Sequence, residues 1–374
     1  MDTVIQGETS EVRRADPARW SLPRLIALCI YYGVLRRVRE RMSPRLWRMR
    51  ISRSEFYSDM WRRAVENSGA TLTTLSDGAT RIERNGTCLD VRNNITSLDS
   101  SATMSRAEDK PLIRTLLRSS HIPVPEGILI GFGEFAKAVG MLRSASGPLV
   151  VKPAEATSGG AGVTMNVTEV RQLEVAFAWA RSFGPHVAIE RQIEGDCYRV
   201  LVMDGEVLDT VVRHPPRVTG DGKSTILQLI LRENKVRLKA GAKRAQVLIG
   251  LDPDLHNMLA TRGFKLNSRP VAGEIIALKG VINDNGGKDN VPANGTLCPA
   301  ILESACTAAR IVGARLAGID IICSDPSVPL ESSGGAVVDV NAAPGLYYHC
   351  HRADSSVPIA DRVLRKAFNL SAAL

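Results

Sequence analysis

Two periods of apolar and polar positions run through the chain. A three-to-four-residue repeat predicts helices over PLIRTLLRSS (111–120), EVRQLEVAFAWARSF (169–183) and ILESACTAARIVGARLA (301–317). Between them, β-branched runs with a two-residue repeat predict strands over GPLVVKP (147–153), HVAIERQI (186–193), YRVLVMDGEVLDTVVRH (198–214), GIDIIC (318–323) and AVVDVN (336–341). Asn85-Gly86 and Asp204-Gly205 each sit between apolar runs and predict hairpins. Upstream, a helix from residue 53 ends at Gly69, and TLTTL (71–75) follows as a short strand. The polar stretch NNITSLDSSATMS (93–105) reads as a linker. The texture is α+β with antiparallel hairpins rather than a doubly wound parallel sheet. It divides the chain into a helical segment (1–52), a small α/β domain with its linker (53–105) and a main domain (106–374).

Charge sharpens that division. The 374 residues carry a net charge of +9, but residues 1–63 contain 14 Arg against 7 acids and hold +7 of it. The basicity belongs to the N-terminal segment, and a solvated arginine-rich helical face is the preferred reading over attraction to nucleic acid or anionic lipid. LIALCIYYGVL (25–35), flanked by Arg24 and Arg36, is too short to span a bilayer. Acids precede it and no small-residue cleavage site follows, which argues against a signal peptide. It reads as a buried or interface helix, with attachment to a membrane surface as the lesser alternative.

The seven cysteines (29, 88, 197, 298, 306, 323, 350) form no CxxC pair, which favours reduced thiols and a cytoplasmic location. His349-Cys350-His351 lacks a second ligand cluster, so a structural zinc site is not expected.

Candidate chemistry begins with the strand at 336–341. Side chains alternate faces, so Asp339 and Asn341 point one way while Val338 and Val340 point into the packing. Two oxygen ligands on a rigid strand suit Mg²⁺; taken alone, the pair is better read as a half-buried strand with Asp and Asn facing water. Asp320, on GIDIIC, adds a carboxylate on a strand expected to hairpin with this one. Lys152 ends its strand and can aim a charge into a cleft, or lie along the surface. In TSGGAGV (157–163), glycines 159, 160 and 162 allow successive backbone N–H groups to face an anion. The loop is not GxGxxG. GDGKST (220–225) is not a P-loop either, because Arg217 stands where the motif needs glycine.

The order of DKP (109–111), VVKP (150–153), SGGAGV (158–163), IERQIEGD (189–196), GDGKST (220–225), GID (318–320) and DVNAAPGL (339–346) resembles the ATP-grasp carboxylate–amine ligases. Within that family it looks most like the ATP-grasp module of the cyanophycin synthetases, with D-alanine–D-alanine ligases and glutathione synthetases more distant. The resemblance covers Arg106 to the C-terminus. It implies two α+β subdomains clasping ATP, preceded by the smaller N-terminal domain. Lys110 and Lys152 would hold phosphates, with Ser158, Gly159, Gly160 and Gly162 folded over them. Glu190, Gln192 and Ile193 would form the hinge at adenine, and Asp320, Asp339 and Asn341 would hold Mg²⁺, with Mn²⁺ as the alternative. Arg213 resembles the arginine that steadies charge on the reacting carboxylate, and Arg199 and Lys279 are further candidates there. Gly345 ends the NAAPG turn at the substrate pocket, and His349 follows it.

Three departures stand out. The family usually has Glu at position 339; its ribose-binding acid falls at Cys197, which would leave the role to Asp196; and NDNGG (283–287), starting at Asn283, is shorter than the family's acceptor loop. The implied reaction phosphorylates a carboxylate with ATP and lets an amine attack the acyl phosphate. Amino acids or a small peptide are the expected substrates, in specialised-metabolite synthesis, with no nucleic-acid partner, no membrane span and a homodimer as one expected assembly. A non-catalytic ATP- or peptide-binding module and a kinase of the same fold are the alternatives.

Overall fold

Every strand pairing in the computed structural model is antiparallel, as the hairpin texture predicts. The structure describes residues 20–42, 44–154, 160–240, 248–282, 289–350 and 358–370. Two long helices come first, α1 (Leu22–Met42) and α2 (Pro44–Ser68), and α2 runs unbroken across residue 52. A four-stranded meander follows: β1 (Thr71–Thr74), β2 (Thr80–Arg84), β3 (Thr87–Arg92) and β4 (Ile95–Thr96). Its β2–β3 turn has positive φ at Asn85 (49°) and Gly86 (79°), the pair that a tight hairpin requires. The stretch expected to be a linker is instead tied down. Asp99 accepts the backbone N–H groups of Arg315 and Leu316, and Asn94 donates to the Ala343 carbonyl.

Helices α3 (Ser101–Glu108) and α4 (Lys110–Ser119) lead into the first sheet of the main domain. That sheet has the order β5-β8-β6-β7, from β5 (Gly127–Ile130), β6 (Leu149–Pro153), β7 (Thr164–Val167) and β8 (Val187–Arg191). Helices α5 (Phe135–Ser144) and α6 (Val170–Arg181) pack on it around Phe135, Phe177, Leu149 and Ile189.

The second sheet has five strands in the order β13-β10-β9-β14-β15: β9 (Asp196–Met203), β10 (Glu206–Arg213), β13 (Asn290–Pro292), β14 (Leu316–Cys323) and β15 (Ala336–Asn341). Between them in sequence lie β11 (Arg217–Thr219) and β12 (Ile275–Ala277), which pair with each other, with α7 (Ile226–Ala240) and α8 (Pro253–Thr261) packed beside them. Helix α9 (Pro299–Val312) covers the five-stranded sheet, burying Ile301, Ala305 and Ala309 against Val200, Ile319 and Val340. It stops five residues short of the periodic stretch's end at Ala317, because Gly313 takes φ of 77° and caps it, which frees Leu316 and Ala317 to begin β14. Short α10 (Leu330–Ser333) and α11 (Tyr347–Cys350), then α12 (Ile359–Ala367), complete the described chain. α12 packs on α2 through Ile359, Val363 and Leu364 beside Tyr57 and Trp61, which joins the N-terminal helix to the five-stranded sheet.

Candidate active site

The two large sheets face each other across a cleft of about 470 Å³. Of the predicted residues, Lys110, Lys152, Gly160, Glu190, Gln192, Ile193, Asp196, Arg213, Asp320 and Asp339 line it. Ser158, Gly159 and Asn283 lie outside the described residues.

Helix α4 reaches both walls. Its N-terminus is fixed by Asp109, whose carboxylate accepts the Leu112 N–H at 3.0 Å, and by Pro111 in the first turn. Ile113 and Leu117 anchor the helix in the core of the five-stranded sheet. From that base Lys110 pairs with Asp339, while Arg114, one turn on, crosses to Glu190 of β8. Glu190 is 2% exposed and also takes Lys152 Nζ at 3.0 Å. Burial holds the Lys152 amine below the ordinary lysine range, and Arg114 and Lys110 push the same way against Glu190. Such a lysine is short of anionic company and suits an incoming phosphate.

On the opposite wall, Asp320 and Asp339 are direct partners in the β14–β15 register. Arg199 grips Asp320 through both ends of its guanidinium, at 2.5 and 2.7 Å, and Arg213 adds a contact at 3.3 Å. Burial alone would raise the Asp339 carboxyl, but Lys110, Lys152 and Arg199 outweigh it and hold the group below the usual carboxylate range. Asn341 donates to Asp339 Oδ2 at 3.2 Å, so the two side chains share a face as predicted. Val338 departs from the expectation. The register jumps between Asp320/Asp339 and Ile321/Val337, leaving Val338 as a bulge residue that lines the cleft, while Val337 and Val340 enter the core.

Two carboxylates and an amide oxygen on one rigid sheet face form an all-oxygen donor set, which fits a hard divalent cation. Among the described residues no group of three or more His, Cys, Asp or Glu side chains forms, so such a cation would draw further ligands from Asn341 and from phosphate oxygens.

Other predicted residues sit further from the chemistry. Gly162 (φ 86°) has no room for a side chain: a Cβ there would come within 2.5 Å of Pro153, so it seats the loop base rather than lining the cleft. Gln192 lines the cleft but spends its side-chain amide on Asn166 of β7, accepting at 2.9 Å and donating at 3.1 Å. Cys197 is buried and its thiol is pushed up to about 12 by burial and by Asp320, so its neighbour Asp196 is the exposed carboxylate at that edge. Arg199 is 5% exposed and acts on the cleft through Asp320. Lys279 is buried in a 2.6 Å pair with Asp252, outside the cleft lining. Gly345 sits beside Tyr348. His349 is fully buried, with Nδ1 2.8 Å from Asp209, and burial depresses its imidazole.

Three residues escaped the sequence reading. Arg114 was findable, since it stands four residues after Lys110 on one helical face. Tyr348 stacks under Arg213, whose Cζ is 4.0 Å from the ring centroid, which fixes that guanidinium. Asp254 of α8 is fully buried and accepts the N–H groups of Met165, Gly280 and Val281, so one carboxylate ties β7 to the segment that closes the cleft edge. Neither tyrosine nor aspartate carries a local motif.

No family model matches the chain. Over 243 residues it is 33% identical to the cyanophycin synthetase of Trichormus variabilis, covering 64% of this chain and 27% of that protein. It is 29% identical over 292 residues to the glutathione biosynthesis bifunctional protein of Streptococcus mutans, covering 74% of this chain and 37% of that one. The chain thus spans about a quarter to a third of the curated relatives it matches. Among solved structures, a bifunctional glutathione synthetase from Pasteurella multocida superposes with a TM-score of 0.55 at 22% identity, over 85% of this chain and 43% of that one. The chain has the ATP-grasp fold and is similar to the ATP-grasp ligases.

Proposed function

We propose that this chain is an ATP-dependent carbon–nitrogen ligase. It activates a substrate carboxylate as an acyl phosphate and joins it to an amine, releasing ADP and phosphate. The observation that carries this reading is the meeting of Lys110 and Lys152 with Asp320 and Asp339 in one cleft, each group fixed by a different element.

ATP enters with adenine at the Glu190–Ile193 segment, its ribose beside Asp196 and its phosphates toward Lys152 and Lys110. The lysines compensate phosphate charge, and phosphoryl transfer needs mainly such positioning and electrostatics. Asp320, Asp339 and Asn341 would hold Mg²⁺, or Mn²⁺ in its place, which when bound supplies further neutralisation of charge on the phosphates. Arg213, stiffened by Tyr348, orients the substrate carboxylate and steadies the charge that grows on it as the amine attacks. Arg199 holds Asp320 in place for that arrangement. His349, locked on Asp209, supports the turn after Gly345 rather than moving a proton.

The relatives' names point to amino acids or a small peptide as the joined partners, and reduced cysteines fit a cytoplasmic setting. The test is phosphate release from ATP across a matrix of paired amino acids, with mass measurement of the product. An amide that appears only when both partners and ATP are present supports the reading. A product that keeps the phosphate assigns a kinase instead, and no turnover with any pair across a broad amine and carboxylate panel contradicts the ligase.

A further inference from the structure

Helix α1 is apolar on both sides, but among the described residues only one side is covered. Leu25 is fully buried against the α5–α6 layer, Tyr32 stacks on Trp179 and Arg24 pairs with Glu174 at 3.1 Å. The other side faces outward: Leu22 (49% exposed), Ile26 (41%), Ile30 (63%), Val34 (53%) and Val38 (48%) follow one another four residues apart. Tyr31 and Leu35 widen the stripe. It is about 24 Å long at the helical rise. No charged residue lies between Leu25 and Leu35. A face of this size on a soluble surface marks an interaction site.

Its flank says what kind. From Arg36 to Arg53, 8 of 18 residues are arginine and one, Glu40, is acidic; the chain has no lysine before Lys110. We propose that α1 lies in the surface of an anionic membrane, its Leu22–Val38 stripe in the acyl boundary and the exposed Arg37 and Arg41 on lipid phosphates. A second copy fits less well. Antiparallel pairing of two α1 helices would set this arginine run beside Arg24 of the partner with only Glu40 to offset it. Nucleic acid would use the arginines and leave the apolar stripe uncovered. The inference is independent of the ligase reading, because it uses neither the cleft nor its residues.

The experiment is co-flotation of the full chain with vesicles of phosphatidylcholine alone or with one-third phosphatidylglycerol. The chain is expected to float with the anionic vesicles and not with the neutral ones, and to detach as salt rises. Ile30→Asp with Val34→Asp should lower the bound fraction at least ~tenfold. Both side chains are exposed, so the melting temperature should not move, and circular dichroism checks that the variant is folded. Arg37→Glu with Arg41→Glu should remove the preference for anionic lipid. Absence of binding to anionic vesicles overturns the proposal, as does binding that Ile30→Asp with Val34→Asp leaves unchanged. A solution dimer split by that same pair would assign the stripe to a second copy. Tight binding to duplex DNA without any to vesicles would assign the arginines to nucleic acid.

Discussion

The two walls of the cleft handle charge differently. On the four-stranded sheet, buried Glu190 is outnumbered: Lys152 comes from the neighbouring strand, Arg114 crosses from α4, and Lys110 stands nearby. That wall has a surplus of positive charge, and burial holds the Lys152 amine below the ordinary lysine range. On the five-stranded sheet, Asp320 takes both Arg199 and Arg213, while Lys110, Lys152 and Arg199 hold the Asp339 carboxyl below its usual range. The first wall is built to receive anions. The second is built to hold two carboxylates close together, which like charges resist unless cations are interleaved. Arg114 links the walls, since its helix is rooted in one core and its guanidinium ends in the other.

If the walls differ in this way, removing charge from each should fail differently. Lys152→Ala should lower ATP-dependent phosphate release by ~10²-fold or more, because a preorganised charge at the phosphates is lost. The variant should still fold, since buried Glu190 keeps Arg114 as its partner, and circular dichroism checks this. Wild-type turnover by a folded variant would erase the distinction between the walls.

Asp339→Asn strikes the second wall. Loss of one anionic ligand should raise the Mg²⁺ needed for half-maximal phosphate release by ~10-fold, and excess Mg²⁺ should restore part of the rate. Asp339→Glu should remain active. Superimposable Mg²⁺ titrations of wild type and Asp339→Asn would show that Asp339 is an ordinary strand residue.

Asp254 tests the brace at the edge between the walls. Its carboxyl is raised to about 6 by burial and by Asp252, against Lys279 and the N–H groups of Val281 and Met165. A folded value above the unfolded one means that its contribution to stability is fully present below about 4 and is lost as pH rises through about 6. Wild type should therefore gain stability on Asp254→Asn as pH falls across that window, by up to ~3 kcal/mol for a shift of about two units. Denaturant melts of both proteins at several pH values measure the difference; a flat difference would sink the assignment.

The smallest effect belongs to the ribose edge. Asp196→Asn should raise the KM for ATP by ~3-fold, the scale of one exposed hydrogen bond, and leave kcat unchanged. An equal fall in kcat would place Asp196 in the chemistry instead.

Much of this arrangement is legible in the sequence alone. Asn85-Gly86 and Asp204-Gly205 form the turns their residue types demand, because positive φ at both positions selects them locally. The period of two over Ala336–Asn341 gave the strand and the shared face of Asp339 and Asn341. It could not give the bulge at Val338, which depends on how β15 registers against β14 rather than on its own sequence. Nor could it place the end of α9, where the apolar repeat runs past Gly313 into the next strand. Asp254 carries no motif because its partners are backbone N–H groups 89, 26 and 27 residues away. The α1 stripe shows the limit most plainly: an all-round apolar helix reads as buried, and only the fold reveals that one side has no cover among the described residues.

The central claim is that the cleft passes phosphate from ATP to a carboxylate. The direct measurement uses the substrate pair found by the amino-acid matrix, with the reacting carboxylate labelled with ¹⁸O. Acyl phosphate formation carries one carboxylate oxygen into the leaving phosphate, so the account predicts one ¹⁸O in each phosphate released per amide formed. Unlabelled phosphate, with the departing ¹⁸O found in AMP or in water, would contradict it.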